Sequence, residues 1–176
     1  MYDFLSERRA FLIKAAVLTL VILLFYAWFM DRFYIARDSQ ENTSLPWRTF
    51  LVDTRADDVE PGDLVAFKAR NTEPYIDEGR TLVKVYAATD GDKVEIYEDR
   101  LLINGEPQAN GGLHLTEVME EVHPDGISVD PSEFVRSMTL NGDGIFALGT
   151  EPASFDSRFY GLVEREQIQG RAYPLF

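Results

Sequence analysis

A single apolar stretch near the N-terminus limits what this chain can fold into. Residues 15–30 carry no charged side chain, and the apolar character extends back to Ala10 with one interruption at Lys14. About twenty such residues span a bilayer as a helix, and the lysine amine can extend toward the headgroups. The stretch ends in bulky residues, including Trp28, rather than in the small residues of a cleavage site. The sequence therefore predicts an uncleaved transmembrane anchor over residues 10–30.

The charges around this stretch predict its orientation. Arg8, Arg9 and Lys14 precede or begin it, and basic residues favour the cytoplasmic side. We expect a single-pass protein in an inner (cytoplasmic) membrane, with the lipid bilayer as a partner. Residues 1–9 are then cytoplasmic, residues 31–43 form a polar connector, and residues 44–176 form a periplasmic or otherwise extracytoplasmic domain.

Composition excludes several classes of function. The net charge is −13, and the first thirty residues hold two acids and three bases, so the remainder carries −14. Such a surface repels nucleic acid and anionic lipid. The absence of cysteine excludes disulfides, thiolate zinc sites and a cysteine nucleophile. His114 and His123 lack the i, i+4 spacing and the third ligand of a zinc site. We predict no cofactor and no metal.

Beyond the connector, the pattern changes to short apolar runs separated by Gly and Pro turns. This pattern predicts a mostly β fold, an antiparallel, barrel-like domain. Residues 113–122 have helical spacing and predict a short helix, within a less regular inserted region at about 98–142. The predicted strands are 49–52, 64–67, 81–87, 93–97, 101–103, 144–148 and 159–163.

One of these runs contains Lys84 between apolar neighbours. Deprotonating a solvated lysine at pH 7 costs roughly 4.6 kcal/mol. Burial disfavours the ammonium form and lowers the pKa, which would make the amine a general base. Strand alternation also permits the opposite interpretation, in which Lys84 points into solvent.

Ser44 follows the connector, with Pro46 two residues later. A serine hydroxyl becomes a nucleophile when a base removes its proton, and the proline would stiffen the chain beside it. The alternative is a simple turn between anchor and domain. A Ser–His–Asp triad is less well supported, because His114 and His123 lie in the polar middle of the chain.

The order of these features is similar to that of a known family. The motifs are Ser44-Leu45-Pro46, Gly62-Asp63, Leu82-Val83-Lys84-Val85, Gly91-Asp92 and the run from Ser154-Phe155-Asp156-Ser157-Arg158 to Gly161. They resemble the signal peptidase I superfamily of membrane-anchored serine–lysine peptidases. Residues 153–163 look most like the conjugal-transfer, TraF-type branch, which processes pilin precursors. Val85 departs from the arginine frequent in relatives, and Arg48 from the glycine frequent in the conjugal branch.

The resemblance implies a role for each matching residue. Ser44 would be the nucleophile and Lys84 the general base, with the Ser44 N–H and Asn42 forming the oxyanion hole. Ser154 would orient the lysine amine.

Asp156 and Arg158 would form an ion pair that braces the site. The implied activity is a serine endopeptidase that processes a secreted or membrane-tethered precursor, a pilin or another conjugative-transfer protein. Two alternatives stay open. One is a general signal peptidase, and the other is an inactive bitopic scaffold that binds components of a secretion or conjugation apparatus.

Overall fold

The apolar N-terminal stretch forms one long helix, α1, over Tyr2–Arg32. Its part from Arg8 to Arg32 is long and apolar enough to cross a membrane, and none of its most apolar window is buried in protein. Apolar side chains such as Leu18 and Leu24 are exposed around the helix. A helix that is hydrophobic on all sides requires a hydrophobic environment. This candidate membrane span contains the residues predicted as the anchor.

The computed structural model describes residues 2–38, 44–56, 58–109, 111–122, 129–142, 144–152 and 154–176. The chain divides into two units, Met1–Tyr34 and Ile35–Phe176. The second unit carries most of the β-structure and all of the candidate site residues.

The larger sheet has six strands in the order β1-β2-β10-β3-β4-β9. The pairs β2–β10, β10–β3, β3–β4 and β4–β9 run antiparallel. Its strands are β1 (Phe33–Arg37), β2 (Thr49–Asp53), β3 (Leu64–Lys68), β4 (Thr81–Ala88), β9 (Phe146–Leu148) and β10 (Ile168–Pro174).

The smaller sheet has four antiparallel strands in the order β7-β6-β5-β8. Asn104 and Gly105 both have positive φ, 52° and 82°, as a tight hairpin turn between β6 and β7 requires. Its strands are β5 (Lys93–Ile96), β6 (Leu101–Ile103), β7 (Glu106–Pro107) and β8 (Arg136–Thr139). The helices of this unit are α2 (Leu115–Val122) and α3 (Ser157–Tyr160), and short 3-10 turns lie at Pro131–Glu133 and Arg165–Gln167.

One hydrophobic core joins the two sheets. It includes Phe67 of β3, Ile96 of β5, Val118 of α2, Phe146 of β9 and Phe155 before α3. Because β4 alternates strictly between half-buried and buried residues, its even-numbered side chains belong to the interior. The position of Lys84 follows from this alternation.

The structure confirms the predicted mostly β, antiparallel class, and helix α2 lies within the helix predicted over 113–122. The strand predicted over residues 159–163 is wrong. Residues 157–160 form helix α3, and Val163 makes only a single bridge to Ile145. Helix formation begins at Asp156, whose side chain accepts a hydrogen bond from the Arg158 N–H as an N-cap. An apolar run alone cannot distinguish a strand from a short capped helix.

Strands β1, β8 and β10 were not predicted from the sequence. Strand β1 lies in the segment interpreted as a connector, and β10 contains Gly170 and Pro174, which read as turn residues. A Cβ added at Gly170 would lie 2.0 Å from the Asp53 carbonyl oxygen, and the register with β3 shifts beside it. The glycine is there because two backbones approach closely, which only the fold reveals.

Candidate active site

Lys84 lies inside the protein. Lys84 is 3% exposed, and Leu82 and Tyr86, whose side chains lie on the same face of β4, are also buried. The interpretation of Lys84 as a solvent-facing strand lysine is therefore wrong. Lys84 Nζ donates a hydrogen bond to Ser154 Oγ over 2.8 Å.

Burial lowers the pKa of Lys84 from 10.5 to about 8. Asp156 and Asp38 oppose this shift because they favour the ammonium form, whereas the positive charge of Arg158 adds to it. At pH 7 the free energy needed to deprotonate the amine falls from about 4.8 to about 1.4 kcal/mol, at 1.36 kcal/mol per pKa unit. The amine can therefore accept a proton near neutral pH.

Asp156 and Arg158 form a fully buried, two-pronged ion pair. Arg158 Nε donates to Asp156 Oδ1, and Nη2 donates to Oδ2, both over 2.8 Å. The Arg158 side chain is 1% exposed and the Asp156 side chain 0% exposed. A planar guanidinium that binds both oxygens of a carboxylate fixes the relative orientation of the two groups.

Arg158 also donates hydrogen bonds to two backbone carbonyls. Its Nη2 donates to the Ser154 carbonyl over 3.0 Å, and its Nη1 donates to the Gly112 carbonyl. The backbone of Ser154 is thus fixed by the same guanidinium that pairs with Asp156. Because Ser154 Oγ binds Lys84, the ion pair fixes the residue that holds the amine.

The segment from Ser154 to Arg158 is also attached to the end of β9. Asp156 Oδ2 accepts a hydrogen bond from Gly149 N over 3.0 Å, and Ser157 Oγ accepts one from Ala147 N over 2.9 Å. Strand β9 pairs in turn with β4, with Leu148 opposite Val85. The strand that carries Lys84 and the segment that holds its amine are therefore both bound to β9.

Ser44 is half-buried, and its backbone contacts the residues that follow β9. Its carbonyl accepts hydrogen bonds from Thr150 N, over 2.8 Å, and Glu151 N, over 3.3 Å. A Cβ added at Gly149 would lie 2.0 Å from Ser154 Oγ and 2.8 Å from the Ser44 carbonyl oxygen. The missing side chain at Gly149 therefore lets the Ser44 backbone and the Ser154 hydroxyl approach one point.

The remaining predicted residues are placed differently. Asn42 and His123 lie outside the described residues. His114 precedes α2 with a φ of 46°, and its Nε2 lies against Gly112. Lys84 Nζ donates to Ser154 Oγ, and the Ser44 carbonyl accepts from Thr150 N and Glu151 N. Among the described residues, these hydrogen bonds join Ser44 and Lys84 neither to each other nor to His114. Nothing in the described part of the chain supports a histidine triad.

Tyr160 is a second ionisable group close to Asp156. Its hydroxyl is buried, and its ring packs against Phe155 at 5.7 Å and Phe67 at 6.4 Å between centroids. Burial, assisted by the Asp156 charge, raises the pKa of Tyr160 well above its ordinary value. The phenol therefore stays protonated near neutral pH.

Sequence reasoning missed three residues of this site: Gly112, Gly149 and Arg136, whose Nη2 donates a hydrogen bond to the Arg158 carbonyl over 3.0 Å. Gly149 follows an apolar run, and an isolated glycine there is a recognisable sign of close backbone approach. Gly112 and Arg136 gave no such signal, because they lie far from the site in sequence. In the described part of the chain, no group of three or more His, Asp or Glu side chains is arranged to hold a metal ion.

Comparison with known proteins identifies the family of this chain. The family model described as signal peptidase, peptidase S26, matches residues 8–176. The chain therefore belongs to the signal peptidase family, peptidase S26. It is a signal peptidase I-like serine peptidase, and this class acts on exported precursors.

A search of the curated proteins finds no match to the chain. Among solved structures, it is similar to a signal peptidase I from Enterococcus faecalis at 24% sequence identity. The match covers 66% of this chain and 97% of that one, with a TM-score of 0.41.

Proposed function

We propose that this protein is a membrane-anchored serine endopeptidase with Ser44 as nucleophile and Lys84 as general base. The observation that carries the proposal is the state of Lys84. It is a buried amine with a pKa of about 8, hydrogen-bonded to Ser154. The same Ser154 lies against Gly149, whose other neighbour is the Ser44 carbonyl. A buried lysine without such partners would only destabilise the fold.

The proposed reaction is acyl transfer in two steps. The neutral Lys84 amine takes the proton from Ser44 Oγ as this oxygen attacks the scissile carbonyl carbon. The resulting ammonium gives that proton to the departing amine, which leaves an ester between Ser44 and the new carboxyl end. Lys84 then takes a proton from water as the water oxygen attacks the ester carbonyl carbon. The resulting ammonium gives this proton to the departing Ser44 Oγ, which frees the new carboxyl end and restores both residues.

The oxyanion of each tetrahedral intermediate needs hydrogen-bond donors. We assign the Ser44 backbone N–H to this role, together with Asn42, as in related enzymes. Donors fixed before the reaction contribute several kcal/mol, because no reorganisation is needed when charge develops. Ser154 keeps the amine in place, and the Asp156–Arg158 pair keeps Ser154 in place.

The substrate proposed is an extended segment of a secreted or membrane-tethered precursor. The likeness of residues 153–163 to the conjugal-transfer branch supports a pilin or another conjugative-transfer protein, processed in the periplasm. The family match supports a general signal peptidase equally well. The two can be separated by incubating the enzyme with a candidate pilin and with unrelated exported precursors. Cleavage of the pilin alone, located by mass spectrometry of its two ends, supports the specialised function.

Exposed apolar residues support a position close to the membrane, with the N-terminus cytoplasmic as the flanking charges predict. Several large apolar side chains of the second unit remain exposed among its described residues. They are Ile35, Trp47, Val135, Tyr173, Leu175 and Phe176. The Phe176 carbonyl accepts hydrogen bonds from Arg48 N and Thr49 N, so the chain end lies beside the segment that begins at Ser44. Aromatic and aliphatic groups of this kind suit the membrane interface.

The experiment that tests this function compares four variants of the full chain in detergent or proteoliposomes. Ser44→Ala and Lys84→Ala should abolish precursor cleavage while the protein stays folded. Ser137→Ala and Lys93→Ala, at exposed positions, are the matched controls and should cleave normally. Cleavage by purified Ser44→Ala would refute the proposal. A wild-type protein that binds apparatus components but cleaves no precursor would favour the scaffold alternative.

A further inference from the structure

The smaller sheet and its connections contact the Ser154–Tyr160 segment at three places. The Gly112 carbonyl accepts a hydrogen bond from the Arg158 side chain. Phe134 packs edge-on against Phe159 with ring centroids 5.1 Å apart. Arg136, on β8, reaches the backbone of the same segment. All three contacts come from the region between about 98 and 142 that the sequence suggested was a less regular insertion.

Arg136 makes the most directed of these contacts. Its Nη2 donates to the Arg158 carbonyl over 3.0 Å and to the Ser157 carbonyl over 3.3 Å, and its Nη1 donates to the Phe134 carbonyl over 3.4 Å. Helix α3 has a single turn, so its carbonyls depend on partners outside the helix. A cation at the last carbonyls of a helix is also favoured electrostatically.

These contacts form a continuous path to the general base. Arg136 holds the backbone of Arg158, and the Arg158 side chain holds the Ser154 carbonyl and the Asp156 carboxylate. Ser154 Oγ then binds Lys84 Nζ. Arg136 is half-buried, and burial lowers its pKa from its ordinary value. A partly desolvated guanidinium bound to carbonyls contributes more than a solvated one.

We propose that Arg136 is a positioning residue for Lys84, and that strand β8 braces the Ser154–Arg158 segment through it. This inference rests on the proposed function of Lys84 as general base. Arg136 touches neither Lys84 nor Ser44, so it acts through the Ser154–Arg158 segment. Strand β8 then contributes to the position of the Lys84 amine as well as to the stability of the domain.

A positioning role predicts a change in the behaviour of Lys84, whereas a merely structural role does not. The charged groups that act on Lys84 are Asp156 and Asp38, which favour the ammonium form, and Arg158, which disfavours it. Loosening the segment would admit water around the amine and weaken the effect of burial, the largest cause of its lowered pKa. The pKa should then move upward, toward 10.5.

The test uses the full chain with Arg136→Met and Arg136→Lys, and Arg100→Met as the control. Arg100 lies in the same region but is exposed and pairs with Asp99. Arg136→Met should lower kcat about 10- to 100-fold with little change in KM, since a displaced catalytic group costs rate rather than binding. The rising limb of the pH–rate profile should move to higher pH. Arg136→Lys keeps the positive charge but loses the two-nitrogen donor geometry of the guanidinium. Its kcat should lie between those of Arg136→Met and wild type.

A second measurement does not depend on activity. Carbon-13 labelled lysine permits NMR titration of Lys84, assigned by its loss in Lys84→Met. A raised Lys84 pKa in Arg136→Lys supports the inference even if Arg136→Met fails to fold. Unchanged kcat, or lost activity with an unchanged Lys84 pKa, overturns it. Failure of the proposed function itself would show separately, as cleavage that persists in Ser44→Ala.

Discussion

Strands β4 and β5 each carry a lysine in an alternating pattern, yet the two lysines have opposite environments. Lys84 of β4 is 3% exposed and bound to Ser154. The Lys93 side chain of β5 is 53% exposed and pairs with Glu95 at 2.9 Å. The strands differ in what covers the lysine. The segment from Ser154 to Arg158 provides Lys84 with a buried partner, whereas Lys93 is largely exposed and its partner Glu95 lies on the same strand.

The ion pairs repeat this contrast. Asp156–Arg158 and Arg70–Glu164 have similar closest distances, 2.8 and 3.0 Å. The first pair is buried, whereas the side chains of the second are 47% and 62% exposed. An exposed pair contributes little because water screens it, but removing one partner of a buried pair leaves a charge without compensation. Burial, rather than distance, decides which charges this protein depends on.

The largest expected effect separates the two lysines. Lys84→Met should lower the cleavage rate by about 10²- to 10⁴-fold, the usual contribution of general-base catalysis. Lys93→Met should leave it within about twofold. Cleavage kinetics on one precursor, with circular dichroism to check folding, measure both. Similar rates for the two variants would show that cleavage does not depend on Lys84 more than on Lys93.

The ion pairs give the next effect. Asp156→Asn should destabilise the fold by about 3–5 kcal/mol, because it leaves the Arg158 guanidinium buried without its counter-charge. Glu164→Gln, the matched change in the exposed pair, should cost about 0–1 kcal/mol. Chemical denaturation of both variants in the same detergent provides the comparison. Equal losses of stability would show that the buried pair is not special.

Gly149→Ala tests the close approach of Ser44 and Ser154. The new Cβ would lie 2.0 Å from Ser154 Oγ, so a side chain or the backbone must move. Overpacking of this kind costs about 1–3 kcal/mol, and activity should fall with it. Gly144→Ala is the control, since its Cβ would lie 3.3 Å from the Leu162 side chain, a tight contact that a shift of a few tenths of an ångström would relieve. Full activity in Gly149→Ala would mean that this packing does not position the site.

The smallest effect is that of pH. A base must be neutral to accept a proton, and Lys84 has a lowered pKa of about 8, so the rate should rise as pH increases through this value. With that pKa, the neutral fraction grows about tenfold between pH 7 and pH 9. Single-turnover cleavage across this range measures it. A rate that is flat between pH 7 and pH 9 would exclude an amine with this pKa as the base.

Much of the fold could be predicted from local patterns. Strands β2 to β6 and helix α2 were found because period-2 and period-3.6 patterns depend on neighbouring residues. The strand predicted over residues 159–163 is wrong because it overlaps the end of helix α3, whose formation depends on the Asp156 N-cap rather than on periodicity. Strand β10 was missed because Gly170 reads as a turn residue until Asp53 is placed against it.

The site was predictable only in part. Lys84 and the Ser154–Arg158 run stood out as residue types in a characteristic order, and the structure brings them together. Arg136 and Gly112 did not stand out, since an arginine on a short strand and a glycine in a loop have no chemical signature. Their importance comes from the carbonyls and the guanidinium that they contact.

The sequence by itself determined the apolar span, the alternation of β4 and the order of the motifs, because each depends on spacing along the chain. Only the tertiary structure decided that the row of Lys84 faces inward. Alternation shows which residues share a face, but not which face is covered. The covering groups come from far away in sequence, since Ser154 is 70 residues from Lys84 and Gly112 is 46 residues from Arg158. Burial by groups that are distant in sequence lowers the pKa of Lys84 to about 8.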